Sequence, residues 1–255
     1  MLICDNFLEA IERLWNYLFG SPPPSSPSQP SSGIQIPAEC DYLSMSQWQA
    51  SDNAVGQLVR KYQQANNIWA QLSVDIGAFS GPKDIGGRSH RHPNPASGFQ
   101  YKIELNIKRH YRTIFDTAIC LIHELWHLRD ADSFGFFPYE VASLTTKKEF
   151  VALAWEWELA AYRSQLAGAA FIYNSDPVKY YLCWQASVII DKVLFPLNGG
   201  NLFLAKEEIK GNYLRSSLEA DWQAKNTTPA APAITSAFNA YRAAGNLVPV
   251  SQWGL

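Results

Sequence analysis

Between residues 101 and 107 the chain alternates. Tyr101, Ile103, Leu105 and Ile107 are separated by Lys102, Glu104 and Asn106. A period of two predicts a half-buried strand there. Upstream, residues 45–66 carry Val55, Leu58, Val59 and Tyr62 on one helical stripe, and "IWAQLSVDI", 68–76, reads as a second strand. Between the two strands lies "GAFSGPKDIGGRSHRHPNPASG", a Gly/Pro/Ser-rich stretch long enough to suggest a functional margin. A nearly continuous apolar run predicts a helix over 112–130, and another starts near Thr145 or Thr146 and runs to about Leu166. A third is bracketed by Asp176 as N-cap, with Pro177 in the first turn, and by Pro196. The remainder is mostly helical, broken at "NGG", 198–200, and "TTPAAP", 227–232. Strands early and helices late predict an α+β fold. We expect a small mixed sheet whose edge strand packs on the 112–130 helix, followed by a mostly helical C-terminal part.

The N-terminal region has a different texture. Phe7, Leu8, Ile11, Leu14, Trp15 and Leu18 give an amphipathic helix within residues 1–20, read as docking back on the main body, with a partner or membrane surface as the alternative. "SPPPSSPSQPSSG" follows and cannot pack a core, so residues 21–37 read as an extended linker. Residues 38–255 form the expected main domain.

Composition narrows the function classes. A net charge of -2 supplies no basic field for nucleic acid, and "IKRHYR", 107–112, reads as a solvated helix start. Cys4, Cys40, Cys120 and Cys183 are widely spaced, as small core residues of a reducing compartment would be. The N-terminus lacks the basic start of a secretory signal, and no uncharged run reaches membrane-spanning length. A soluble, cytoplasmic protein is the expectation, with export by another route left open.

The chemistry concentrates in "LIHELWHL", 121–128, where His123, Glu124 and His127 form H-E-x-x-H. Residues four apart on a helix share a face, their Cβ atoms roughly 5–6 Å apart. Two imidazoles so placed can reach one zinc ion at about 2.0–2.1 Å without bending the backbone. Glu124 projects roughly 100° away from His123. It is poorly placed as a ligand but well placed as a general base for a water activated beside it. Asp130 shares the face of the histidines and could orient an imidazole, and Asp116, two turns before His123, is a weaker candidate for the same task.

A catalytic zinc needs a third protein ligand. The extended motif with a third histidine fails, because Asp130 and Ser133 stand where Gly and His would be. Glu149, Glu156 and Glu158 remain, on the following helix. Helical projection groups Glu149 and Glu156 with Arg163, an ordinary charge cluster. Glu158 instead falls among Val151, Ala154, Ala161, Tyr162 and Gln165, without a basic neighbour. A carboxylate in such surroundings calls for a cation. Glu158 is therefore the expected third ligand and Glu156 the second choice.

The strand "YKIELNI", the helix with "HELWH" and the later helix with "ELAAYRSQ" together resemble the core of gluzincin-type zinc metallopeptidases, over roughly residues 100 to 168. Arg129 departs from the apolar residue usual after such motifs. The resemblance implies one Zn2+ per chain, a peptide or protein substrate laid along the edge strand, and peptide-bond hydrolysis with Glu124 as base. It also implies a donor for the developing oxyanion, for which Tyr162 is the first candidate and His90 and His92 are alternatives. Two rivals accompany this expectation: a non-catalytic zinc-binding or scaffold protein that keeps the motif's geometry, and a metal-free helical interaction domain with core histidines.

Overall fold

The computed structural model describes residues 54–67, 72–81, 85–106, 114–175 and 201–255, and every structural statement concerns these. The N-terminal helix, the Pro/Ser linker, the basic patch at 107–112 and the helix bracketed by Asp176 and Pro196 lie outside them. So does the side chain of Asp116. The elements run α1 (Ala54–Asn66), β1 (Val74–Phe79), β2 (Gly87–Arg91), β3 (Tyr101–Asn106), α2 (Ile114–Phe134), α3 (Lys147–Ser175), α4 (Leu202–Asn212), α5 (Arg215–Lys225) and α6 (Pro232–Ala243). The fold is α+β: a three-stranded mixed sheet packs on α2, and a mostly helical part follows.

The strand order is β1-β3-β2, with β1 parallel and β2 antiparallel to β3. Two expectations are corrected here. The "YKIELNI" strand is central, not the edge, and the loop before it contains the edge strand β2, "GRSHR". That stretch is too polar to read as a strand from its sequence. It pairs because its backbone completes β3, while its side chains serve the sheet's polar face. On that face Glu104 is buried, and it is bonded by Arg88 at 2.6 Å, His90 at 3.0 Å and Lys102 at 3.2 Å. Burial pushes its carboxyl up, but those three partners outweigh it and hold the group at about 2. Asn106 is likewise buried and donates to the carbonyl of Ile85 at 2.8 Å.

The other face is apolar. Tyr101, Ile103 and Leu105 pack with Ile119, Ile122, Leu125 and Leu128 of α2 in one core cluster. A helix apolar on nearly every side must be buried on nearly every side, and α2 is. It ends at Gly135, whose φ of 80° gives a left-handed cap, with its N–H bonded to Ala131 at 2.8 Å. Arg91, at the end of β2, donates to the Gly135 carbonyl at 3.0 Å and to Glu140 at 2.6 Å. The edge strand is thereby strapped to the end of α2.

Helix α3 opens with reciprocal bonds between Thr146 and Glu149, a capping box. It runs past the expected end near Leu166 to Ser175. Gly168 lies in the part of the helix beyond that expected end. A Cβ there would lie 2.6 Å from Cδ1 of Ile122, so this glycine permits close approach of α3 to α2 instead of ending the helix. Among the described residues, no helix is long and apolar enough to cross a membrane.

Candidate metal centre

The two long helices bring three side chains to one point. His123 and His127 come from successive turns of α2, and Glu158 from α3. His123 Nε2 lies 3.2 Å from Glu158 Oε2, and His127 Nε2 lies 3.6 Å from Oε1. The two Nε2 atoms are 3.1 Å apart. Four ligands at about 2.0–2.1 Å in a tetrahedron are separated from one another by about 3.4 Å. The spacing of this group thus suits one small divalent ion, and His123, His127 and Glu158 could hold a metal.

The donor chemistry fits as well. Glu158 Oε2 is buried with no hydrogen-bond partner, and the ion-pair contact with His123 Nε2 at 3.2 Å is the closest approach to it. Such an atom is costly to bury unless a cation meets it. Burial raises the Glu158 carboxyl, yet the neighbouring His127 and His123, with the Tyr213 hydroxyl, bring it below its ordinary value, so it stays ionised. Burial drives the His127 imidazole down to about 4, with Glu158 opposing and His123 reinforcing the shift. Its ring is neutral near pH 7, the form in which imidazole ligates metals. For His123, burial lowers the proton affinity, but the Glu158 contact outweighs it and the net direction is up.

Glu156, the second choice for third ligand, points elsewhere. It accepts from Trp253 Nε1 at 2.7 Å and lies 3.6 Å from Lys206. Glu149 is committed to the capping box and to Arg242 at 3.5 Å. Glu158 is the glutamate that converges with the histidines.

Glu124 is buried between α2 and the sheet. It faces Gly87 at the start of β2, where a Cβ would lie only 2.9 Å from both Cγ and Oε1 of Glu124. The carboxylate therefore sits at the junction of the edge strand and the histidine pair. It is close enough to His123 and Tyr162 to influence the titration of each.

Tyr162 follows Glu158 by one helical turn. Its ring meets His123 edge-on with centroids 4.9 Å apart, and its hydroxyl is 3.4 Å from that of Tyr213. Burial and then the Glu158 charge raise its proton affinity, so it remains a donor at neutral pH. His90 and His92 turn to other work. His90 is bonded to Glu104 on the polar face of the sheet. His92 lies 3.4 Å from Asp75, and its Nδ1 is bonded to Ser97 Oγ at 2.9 Å within the turn that leads into β3.

Three contributors escaped the sequence reading. Gln165 Oε1 lies 3.2 Å from His123 Nδ1, accepting the proton that leaves Nε2 aimed at Glu158. The expected orienting residue, Asp130, is buried instead near Arg129, 3.7 Å away, and burial lifts its carboxyl to about 6. Gln165 sits seven residues beyond Glu158, two turns along the same face, so its position was readable although its partner was not. Gly87 and Tyr213 carried no local signal. Arg129 is exposed and stacks on Trp126 at 4.3 Å, where α2 reaches the surface.

No protein-family model matches the chain, and no curated protein or solved structure is significantly similar to it.

Proposed function

We propose that the chain is a zinc-dependent hydrolase of gluzincin type that cleaves peptide bonds. The observation that carries the reading is the convergence of His123, His127 and Glu158 beside a buried Glu124 that abuts an edge strand. A divalent ion bound by the three ligands would polarise a substrate carbonyl and acidify the attacking water. Glu124 accepts the proton of that water and returns it to the departing amine nitrogen, so that one carboxylate serves as base and then as acid. Gln165 fixes the His123 ring throughout. The Tyr162 hydroxyl is only loosely held, since 3.4 Å is long for an O–H···O bond. It is free to turn towards an oxyanion. An extended peptide would add to the outer edge of β2, which brings its carbonyl past Gly87 and Glu124.

Zinc is the proposed ion because two imidazoles and one carboxylate with an open fourth position form its usual catalytic set. The test is a pair of variants in the full chain, His123→Ala and Glu124→Gln. The wild type is expected to carry one zinc per chain and to hydrolyse peptides. His123→Ala loses both metal and turnover, whereas Glu124→Gln keeps the metal and loses turnover. A wild type that cannot be loaded with metal would sink the reading. Metal uptake with no hydrolysis of any peptide pool would favour a metal-binding scaffold.

A further inference from the structure

Among the described residues β2 is an edge of the sheet, five residues long, polar, and opened by a glycine. A strand of that kind, paired on one side only, frays readily unless something else holds it. Its register on β3 shows which backbone groups it offers outward. His92 N–H donates to the Gln100 carbonyl at 2.8 Å, and Asn106 N–H to the Gly86 carbonyl at 3.0 Å. Bonded positions alternate along an antiparallel ladder, so Arg88 and His90 turn their backbone groups inward to β3. Gly87 and Ser89 turn theirs to the open edge. Residues 87, 89 and 91 share the face towards α2, where Gly87 meets Glu124.

Arg91 secures the far end of the strand. Its Nε donates to Glu140 Oε1 at 2.6 Å and its Nη2 to Oε2 at 3.1 Å, a bidentate, charge-assisted pair. The same Nη2 donates to the Gly135 carbonyl at 3.0 Å. Glu140 is itself held, since its Oε2 accepts from Phe137 N–H at 2.8 Å. The guanidinium also lies over the Phe137 ring, 5.8 Å from its centroid. Strand β2 thus meets α2 at Gly87 beside Glu124 and again, roughly 13 Å along, at Arg91 beside Gly135.

We propose that Arg91 is a positioning residue for substrate: its fork pins β2 to the end of α2 and so holds the Gly87–Ser89 edge at a fixed depth beside Glu124 and the histidine pair. The proposal rests on the reading of β2 as the strand that a peptide joins. A peptide bonded to Gly87 and Ser89 moves with the strand, so any lift of β2 carries the scissile carbonyl away from the metal centre. Arg91 acts through the strand and not on the reacting atoms. His123, Glu124, His127 and Glu158 come from α2 and α3 instead. Loss of the fork therefore weakens the binding of peptide and spares the chemistry of what is bound.

The test is Arg91→Met in the full, zinc-loaded chain, which keeps an unbranched side chain and removes the fork. For an extended peptide that the wild type cleaves, KM is expected to rise about 10-fold, the worth of one or two backbone hydrogen bonds. Turnover at saturation and zinc content are expected to hold. A KM within about twofold of wild type, or a loss expressed in turnover at saturation, overturns the proposal. Should Arg91→Met not fold, Glu140→Gln, which leaves the Arg91 bond to Gly135 in place, is read by the same criteria. A second measurement needs neither metal nor substrate. Hydrogen exchange at the β3-bonded amides of Arg88 and His90 is expected to quicken about 10-fold or more in Arg91→Met, with the amides of Ile122 and Leu125 on α2 unaltered. Unaltered exchange in β2, or equal acceleration in α2, overturns the proposal, because an arginine that merely stabilises the fold would loosen both alike. If the wild type cleaves no peptide, the functional reading fails, while exchange still decides whether Arg91 holds the strand.

Discussion

Gly87→Ala is the sharpest probe of the geometry around Glu124. A Cβ at position 87 would lie 2.9 Å from Cγ and Oε1 of Glu124 and 3.2 Å from Cδ. Carbon atoms in contact prefer about 3.5–4.0 Å, so something must yield by roughly 0.6–1 Å. The backbone on either side is poorly placed to move. Helix α2 is pinned by fully buried Ile122 and Leu125, and β2 is strapped through Arg91 to Gly135 and Glu140. The Glu124 side chain therefore turns away. Displacing a catalytic group by about 1 Å can cost about 10²-fold in rate, or roughly 2.7 kcal/mol of barrier. Gly87 does not have a positive φ, so alanine brings no backbone strain, and strand stability should hold or rise slightly. The expected phenotype is full zinc content, an unchanged melting temperature and about 100-fold slower release of new amino termini from a mixed peptide pool. In a Glu124→Gln background the same substitution should cost nothing further. Wild-type turnover in Gly87→Ala, or loss of its zinc, would refute the placement of Glu124 as base against β2.

The other expectations concern the residues around the centre and the polar face of the sheet. Gln165→Leu strips His123 Nδ1 of its acceptor and should weaken zinc about 10–100-fold in chelator competition; an unaltered affinity would remove Gln165 from the centre. Asp130, raised by burial from 3.8 to about 6, takes up a proton on folding, so its burden on stability is absent below pH 4 and complete above pH 6. Asp130→Asn should therefore stabilise the protein at pH 7 by up to about 2 kcal/mol in urea titrations, a gain that vanishes below pH 4; destabilisation at pH 7 would contradict the account. Glu104 behaves in the opposite sense. Its carboxyl is lowered from 4.5 to about 2, so the stability it contributes is present above pH 4.5 and lost as the pH falls towards 2. Arg88 is half exposed and screened, which leaves an effect of about 1–2 kcal/mol. Glu104→Gln should lower the urea midpoint at pH 7, and the gap should close with acid; a gap independent of pH would argue against the cluster.

Local periodicity was enough to determine the α+β order, the helical setting of His123, Glu124 and His127, and the face on which Glu158 stands. Each depends on neighbours within a turn or two, and a helix repeats the same projection wherever it is packed. The choice between Glu156 and Glu158 was legible for that reason: two residues apart on a helix means opposed surroundings. Sheet topology was not. "YKIELN" alternates like a half-exposed strand because Glu104 and Asn106 are polar, but they are buried under partners brought from β2 and the preceding loop. "GRSHR" has no strand pattern at all and becomes an edge only because β3 offers it a ladder. The expected end of the second long helix near Leu166 fell short, because α3 continues to Ser175 and Gly168 lets it pass close to Ile122 of α2. The meeting of Gly87 with Glu124, of Gln165 with His123 and of Tyr213 with Tyr162 joins residues far apart in the chain. Only the packing of α2 against the sheet and α3 decided those pairings, because long-range approach is set by which apolar faces bury one another, and no local spacing records that.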